Sequence, residues 1–214
     1  MSPKYRLIYF DIRGLAEMMR LLLVDQEIDF TEQRIVGKGE EWQRLKKTFL
    51  FGQVPCLMDG DKAIVQTGAI MRLLARRHGL YGKSEDDKVH ADMFFEGLRD
   101  LHEKYVVLCY TNYEIPGKKE EFLESTLPNA LGQIEKLFLT RQNGEGFVLG
   151  ETLSFADYAF FEELDIMLIM DAHSLDKFPT LKAFHKRFEA RPSLKAYLAK
   201  RKADDVKVNN NGIQ

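Results

Sequence analysis

Hydrophobic and polar positions follow different periods in the two parts of the chain. Up to about residue 80, short apolar runs typical of strands alternate with segments of helical period. In order these are YRLIYF, the amphipathic segment LAEMMRLLLVDQ, IDFTEQRI, the hairpin VPCLMDGDKAIV and GAIMRLLARRHG. The order is β-α-β followed by β-β-α, which predicts a mixed sheet with helices packed on it.

The strand pattern ends after the segment HGLYGKSEDD. From Asp86 to about Tyr110 the apolar residues recur at helical spacing, and further helical segments continue to residue 201. The chain therefore divides into an α/β domain at 1–79, a linker at 80–85 and an all-helical domain at 86–214.

One helix of the second region has a well-defined start, in LSFADYAFFEELDIMLIM. Ser154 is a good N-cap, and Asp157 stands three residues later, where its carboxylate can reach back to the backbone. Leu153 and Tyr158 occupy the two positions of a hydrophobic staple. We expect these residues to direct folding and to carry no chemistry.

Pro55 stands inside an apolar run, Val54 to Met58, that otherwise predicts a buried strand. Its partner strand would be Ala63 to Val65, joined through a short turn that contains Gly60. Proline cannot donate a ladder hydrogen bond, so it suits only the first residues of a strand or an edge. From the pattern alone, Pro55 is a trans proline that begins a strand.

Composition excludes several classes of function. The 214 residues are 45% hydrophobic and 30% charged with a net charge of −2, so a soluble protein is predicted, with no general attraction to nucleic acid or membranes. The N-terminus has no apolar run of signal-peptide length, which predicts a cytoplasmic location. Cys56 and Cys109 form no CxxC motif, the histidines have no metal-ligand spacing, and we predict no metal site.

Four motifs together resemble the cytosolic glutathione transferases over essentially the whole chain: YFDIRG, GQVP, QTGAI and SFADY. The segments CYTNYE, GLYGK and ARPSLKAYLA are most similar to the pi class, whereas DIRGLAE is more similar to the mu class. The resemblance implies a thioredoxin-like domain followed by a helical domain. It also implies a homodimer that conjugates reduced glutathione, as co-substrate without a further cofactor, to hydrophobic electrophiles.

Two other functions stay open on the same fold. A thiol oxidoreductase would require a cysteine near Tyr9, and there is none between Met1 and Val54. A non-catalytic ligand-binding protein or a crystallin-like descendant is the other alternative.

The resemblance also assigns a set of glutathione contacts: Tyr9, Trp42, Lys46, Gln53, Val54, Gln66 and Thr67. Tyr9 is the catalytic residue, with its O–H directed at the thiol, although a tyrosine at this position also suits a core. The peptide bond before Pro55 is expected to be cis, so that the Val54 backbone pairs with the peptide.

The two carboxylates of glutathione are expected at opposite ends of this contact set. Gln66 and Thr67, at the start of the helix GAIMRLLARR, would bind the γ-glutamyl carboxylate, although a threonine there also suits a plain N-cap. Trp42 and Lys46 lie one helical turn apart and would bind the glycine carboxylate with help from Gln53.

The same resemblance places hydrophobic electrophiles among Phe10, Ile12, Val106 and Tyr110. Phe51 would insert between helices of the other subunit, and Asp100 would reach the glutathione bound by that subunit. From the pattern alone, Phe51 is a local core residue and Asp100 pairs with Lys104 at i, i+4.

Two residues depart from the pi-class pattern. Leu15 replaces an arginine near the glutamyl end of glutathione, and Asp11 brings a carboxylate next to the predicted electrophile site. Their effects on affinity and specificity stay open.

Overall fold

The computed structural model describes residues 4–213, which form two compact units. The first unit comprises residues 4–78 together with Arg191–Ile213, and the second is Gly79–Ala190. The predicted domains differ in one respect, because Arg191–Ile213 pack with the first unit rather than with the helical one.

A four-stranded mixed sheet forms the centre of the first unit, in the order β2-β1-β3-β4. Strands β1 and β2 are parallel, and the other two neighbouring pairs are antiparallel. Its elements are β1 (Tyr5–Phe10), α1 (Glu17–Asp25), β2 (Phe30–Ile35), α2 (Glu40–Leu45), β3 (Cys56–Asp59), β4 (Lys62–Val65) and α3 (Thr67–Arg77). This order confirms the predicted βαβ-ββα arrangement.

The strand expected to begin at Val54 begins two residues later, at Cys56. The Val54–Pro55 peptide bond is cis, so the expectation of a trans proline from the pattern alone is wrong, and the cis bond implied by the resemblance is confirmed. Because Pro55 has no N–H, it cannot donate to the ladder, and Val54 remains outside the strand pairing.

One face of the sheet packs against α2 and its surroundings through an apolar cluster centred on Ile8, Ile35, Phe49 and Cys56. The helix α1 was predicted to be amphipathic, with one face in solvent. It has no exposed face, because all its residues except Val24 are buried. Glu17, Arg20 and Asp25 are among the buried residues, and each of these charged groups has an oppositely charged partner.

The returning segment, Arg191–Ile213, contains α9 (Pro192–Ala203) and supplies partners for the buried charges of α1. The Asp25 carboxylate accepts hydrogen bonds from Arg191 at 2.9 and 2.7 Å and from the Ser193 hydroxyl. A carboxylate that is fully buried needs such partners, since burial without them costs several kcal/mol. These bonds explain why the segment packs with the first unit.

The second unit is built from helices, as predicted. They are α4 (Glu85–Val107), α5 (Lys118–Glu121), α6 (Leu127–Phe138), α7 (Phe155–Met170) and α8 (Pro179–Glu189). Among them, α7 is buried over most of its length, and the rings of Phe160 and Phe184 stack at 4.2 Å between centroids. The long helix predicted to reach Tyr110 continues beyond Val107 as a π-helical segment, Leu108–Asn112.

The predicted start of α7 is confirmed. Ser154 and Asp157 form a capping box, in which the Asp157 carboxylate accepts from the Ser154 backbone N–H and hydroxyl, both at 2.8 Å. The same carboxylate accepts a hydrogen bond from the Val148 N–H at 2.7 Å, which connects the preceding loop to the helix.

None of the helices within residues 4–213 combines the length and the apolar character that crossing a membrane requires.

Candidate active site

Tyr9 lies next to the last residue of β1, and only 7% of its surface is exposed. Its phenol oxygen accepts a hydrogen bond from the Leu15 backbone N–H at 3.0 Å. Tyr9 therefore packs as a core aromatic while its oxygen takes part in a polar contact at the end of the sheet.

Gly14 allows the loop after β1 to approach this oxygen. Its φ is +42°, a left-handed conformation that favours glycine. A Cβ added to Gly14 would lie 2.6 Å from the Tyr9 oxygen, closer than any van der Waals contact. Any side chain at position 14 would therefore collide with Tyr9, a constraint that the sequence pattern did not reveal.

The returning segment holds the backbone of this loop. The Arg13 N–H donates to the Lys207 carbonyl at 2.8 Å, and the Gly14 N–H donates to the Val208 carbonyl at 3.1 Å. The next N–H along the chain, that of Leu15, is the one that donates to Tyr9. Residues far apart in sequence therefore fix the donor at the tyrosine oxygen.

Two amide side chains meet beside the start of α3. The Gln66 amide donates to the Gln53 side-chain oxygen at 3.4 Å, a long hydrogen bond between exposed groups. Gln66 is the N-cap residue in a left-handed conformation, with φ +74°, and Thr67 is the buried first residue of the helix. The reading of Thr67 as a plain N-cap is therefore wrong.

The start of α3 is suited to an anion. The first N–H groups of a helix have no partner within the helix, and its dipole attracts negative charge there. The Gln66 side chain makes no capping hydrogen bond to these N–H groups. A carboxylate at this point would find backbone donors together with the Gln66 amide and the Thr67 hydroxyl.

Trp42 lies in α2, and Lys46 follows one turn later at the end of that helix. The Lys46 backbone N–H donates to the Trp42 carbonyl. The Trp42 ring packs edge-on against Phe10 with 5.0 Å between centroids. Lys46 is half-buried, and its ammonium has no ion-pair partner in the described part of the chain. The ammonium is therefore available to a carboxylate.

The four residues predicted for the electrophile divide between the units. Phe10 is half-buried and Ile12 is buried in the first unit, on and just after β1. Val106 is half-buried near the end of α4, and Tyr110 is 44% exposed in the π-helical segment that follows. Tyr110 thus combines an exposed aromatic surface with an irregular turn of helix, a feature frequent at functional sites.

Asp11 does not present an isolated negative charge. Its carboxylate accepts a hydrogen bond from Arg34 on β2 at 2.9 Å, although the side chain remains 53% exposed. Arg34 also binds Glu32 at 2.7 Å, so the two carboxylates share one guanidinium.

Phe51 and Asp100 are both exposed in the single chain. Phe51 is 62% exposed, so the reading as a local core residue is wrong. Asp100 makes no ion pair with Lys104 within the described residues, and the pairing predicted from their spacing does not occur. An exposed aromatic and an exposed unpaired carboxylate are residues that a second molecule can cover or use.

Sequence reasoning missed Glu17 and Arg20, which lie directly behind the loop. Arg20 donates from one nitrogen to the Ile12 carbonyl at 2.8 Å, the Arg13 carbonyl at 3.2 Å and Glu17 at 3.1 Å. The only signal was a pair of opposite charges at i, i+3 within an apolar helix, a spacing that also occurs on solvated faces.

Comparison with known proteins identifies a single family over nearly the whole chain. Family models described as glutathione S-transferase, N-terminal domain, and glutathione S-transferase, C-terminal domain, match residues 5–76 and 99–201. The chain is 52% identical over 210 residues to "Glutathione S-transferase 2" of Onchocerca volvulus, covering 98% of this chain and 99% of the other. It is 51% identical over 209 residues to "Glutathione S-transferase P" of Caenorhabditis elegans, with the same coverage.

A solved structure is similar to the same extent. The Onchocerca volvulus pi-class glutathione S-transferase superposes with a TM-score of 0.95 at 52% identity, covering 99% of this chain and 100% of that one.

Proposed function

The chain belongs to the glutathione S-transferase family and resembles its pi class, and from that premise we propose that Tyr9 is the residue that activates the thiol of glutathione. The protein is a glutathione transferase that conjugates reduced glutathione to hydrophobic electrophiles. Glutathione itself supplies the nucleophilic sulfur, so the reaction requires no resident cofactor.

The hydrogen bond between Leu15 and Tyr9 is the observation that carries the proposal. A free thiol has a pKa of about 8.5 and is only a few per cent ionised at neutral pH. Lowering that pKa by about two units requires roughly 2.7 kcal/mol of preferential stabilisation of the thiolate. An O–H donor at the sulfur supplies much of this energy, and a phenol whose oxygen already accepts a backbone N–H is a stronger donor.

The remaining contacts orient the tripeptide. Gln66, Thr67 and the first N–H groups of α3 bind the γ-glutamyl carboxylate, which the uncapped helix start supports. The unpaired ammonium of Lys46, with Trp42 beside it, binds the glycine carboxylate. The backbone of Val54 pairs with the central peptide.

Gln53 helps Trp42 and Lys46 to bind the glycine carboxylate, and its side-chain oxygen accepts a hydrogen bond from Gln66 at 3.4 Å. The family resemblance assigns contacts with the electrophile to Phe10, Ile12, Val106 and Tyr110, and their apolar character suits hydrophobic substrates. In this proposal Tyr110 donates a hydrogen bond to an oxyanion that develops on the substrate.

The enzyme acts as a cytoplasmic homodimer. Phe51 anchors the dimer by inserting into the other subunit, which its exposure in the single chain supports. Asp100 of the partner subunit binds the glutamyl ammonium, which is consistent with the absence of an ion pair to Lys104.

A conjugation assay with a dinitrochlorobenzene-type substrate tests the function, using protein eluted from immobilised glutathione. We expect turnover that depends on glutathione and that falls in Tyr9→Phe. Retention on immobilised glutathione without turnover would instead support a non-catalytic binding protein.

A further inference from the structure

Four polar side chains form a cluster next to the loop that follows Tyr9; we call it the Glu17 cluster, made of the buried Glu17 and Arg20 and the partly buried Tyr197 and Arg201. One carboxylate oxygen of Glu17 accepts from the Tyr197 hydroxyl at 2.9 Å and from Arg201 at 3.0 Å. The other oxygen accepts from Arg20 at 3.1 Å. Glu17 and Arg20 are each 1% exposed, so both oxygens of a fully buried carboxylate are used.

The charges of the cluster are well defined. Burial alone would raise the pKa of Glu17, but Arg20, Arg201 and Arg13 outweigh it and hold this pKa below its usual value. Burial raises the pKa of Tyr197 far above its ordinary range, and the neighbouring Glu17 raises it further. Glu17 is therefore an anion that accepts, and Tyr197 is a neutral hydroxyl that donates.

The cluster is connected to the tyrosine by two short steps. The Arg20 nitrogen that binds Glu17 also binds the carbonyls of Ile12 and Arg13. The loop that carries those carbonyls then turns at Gly14 and ends at the Leu15 N–H, which donates to the Tyr9 oxygen at 3.0 Å. Arg20 is held from two sides, by Glu17 at 3.1 Å and by Glu32 of β2 at 2.5 Å. The direction of the Leu15 N–H therefore depends on where these two carboxylates hold Arg20.

We propose that Tyr197 and Arg201 of α9 are positioning residues for the transferase reaction, acting through Glu17 and Arg20 on the N–H that Leu15 presents to Tyr9. The inference rests on the proposed role of Tyr9. It gives α9 a part in thiol activation through hydrogen bonds that Tyr197 and Arg201 donate to Glu17.

A merely structural role predicts something different. Buried ion clusters are often no more stable than apolar residues of similar volume. If the cluster only stabilised the fold, its loss would lower the melting temperature and leave the ionisation of the bound thiol unchanged. If it positions the loop, its loss weakens the hydrogen bond to Tyr9 and raises the pKa of the bound glutathione thiol.

The experiment measures the thiol pKa of bound glutathione from thiolate absorbance against pH, and kcat/KM over the same range. Tyr197→Phe is the principal variant because it removes one oxygen and keeps the ring. We expect the thiol pKa to rise by about 0.5 to 1 unit, with a roughly three- to tenfold loss of kcat/KM at pH values well below the thiol pKa and a loss of about 1.5- to threefold at neutral pH. The loss should disappear at high pH, where the thiol ionises without help.

Arg201→Gln should shift the thiol pKa in the same direction, and Arg201→Lys should restore part of it. The matched control is Lys200→Ala, because Lys200 is the neighbouring residue of α9, is 76% exposed and, among residues 4–213, forms an ion pair with Asp204 alone. This control should leave both the thiol pKa and kcat/KM unchanged.

A double variant separates the inference from the proposed function. If the cluster acts through Tyr9, adding Tyr197→Phe to Tyr9→Phe should raise the thiol pKa no further. A thiol pKa that rises in Tyr9→Phe but stays at the wild-type value in Tyr197→Phe and Arg201→Gln overturns the positioning role, even if those variants melt earlier. A thiol pKa unchanged in Tyr9→Phe itself overturns the proposed role of Tyr9.

Discussion

Replacing Tyr9 with phenylalanine removes one oxygen from a ring that the core otherwise retains. A hydrogen bond to a charged acceptor contributes about 1.5 to 3 kcal/mol, which corresponds to roughly one to two units in the thiol pKa. We therefore expect kcat/KM to fall about ten- to a hundredfold at pH values well below the thiol pKa and about three- to twenty-five-fold at neutral pH, while binding of glutathione persists. The variant should recover activity as the pH approaches the pKa of the free thiol.

The same change leaves the Leu15 N–H without its present acceptor. Leu15 is half-buried, so water replaces part of that bond, and the free energy of unfolding should fall by only about 1 kcal/mol. For a chain of this size that is a decrease of about 2 to 4 °C in melting temperature.

Tyr5→Phe provides the control for this experiment. Tyr5 is the other tyrosine of β1, is 1% exposed, and its hydroxyl contacts His78 at 3.2 Å. The thiol pKa of bound glutathione is measured from thiolate absorbance against pH in the wild type, Tyr9→Phe and Tyr5→Phe. The reasoning is refuted if Tyr9→Phe retains the wild-type thiol pKa or if Tyr5→Phe raises it equally.

Three further predictions concern assembly and stability. Phe51→Ser should shift the protein toward monomer in analytical ultracentrifugation with loss of activity, whereas Asp100→Ala should remain dimeric and raise the KM for glutathione; a fully active Phe51→Ser monomer contradicts this. Asp157→Ala should lower the free energy of unfolding by at least about 2 kcal/mol in denaturant titration, because it leaves the buried N–H groups of Val148 and Ser154 without an acceptor. Ser154→Ala should lower it by about 1 kcal/mol. Equal losses in the two variants would contradict the importance of these buried hydrogen bonds. The folded-state pKa of Glu17 is lowered, so the stability that its ionised form contributes is complete above its ordinary pKa of about 4.5 and is lost as the pH falls through the lowered value. Glu17→Gln should therefore reduce the fall in melting temperature between pH 4.5 and lower pH. Wild-type and variant melting temperatures that fall in parallel with pH would contradict this.

The sequence predicted the features that local signals determine. Strand and helix order followed from hydrophobic period, and the start of α7 followed from Ser154 and Asp157. The cis bond before Pro55 required the family resemblance, since the same pattern alone favoured a trans proline at the start of a strand. The roles of the predicted site residues remain predictions for the variants above.

Features that depend on distant partners could not be predicted in this way. Glu17 and Arg20 resemble an ordinary i, i+3 pair on a solvated face, but both are buried, and the Glu17 carboxylate is bound by Tyr197 and Arg201 from a distant part of the sequence. The Leu15 N–H is a backbone donor, which side-chain pattern cannot reveal. Its direction depends on the long-range bonds made by Arg13 and Gly14 to the returning segment.

The return of Arg191–Ile213 to the first unit also determines the order in which a ribosome can complete the protein. The sheet that carries Tyr9 is synthesised early, but the carbonyls of Lys207 and Val208 that hold its loop emerge only after the helical unit. At 5 to 20 residues per second, the roughly 130 residues from the end of α3 to Val208 take about 7 to 26 seconds to translate. During that interval the nascent first unit lacks those partners, and the loop at the tyrosine is the last part of it to be completed.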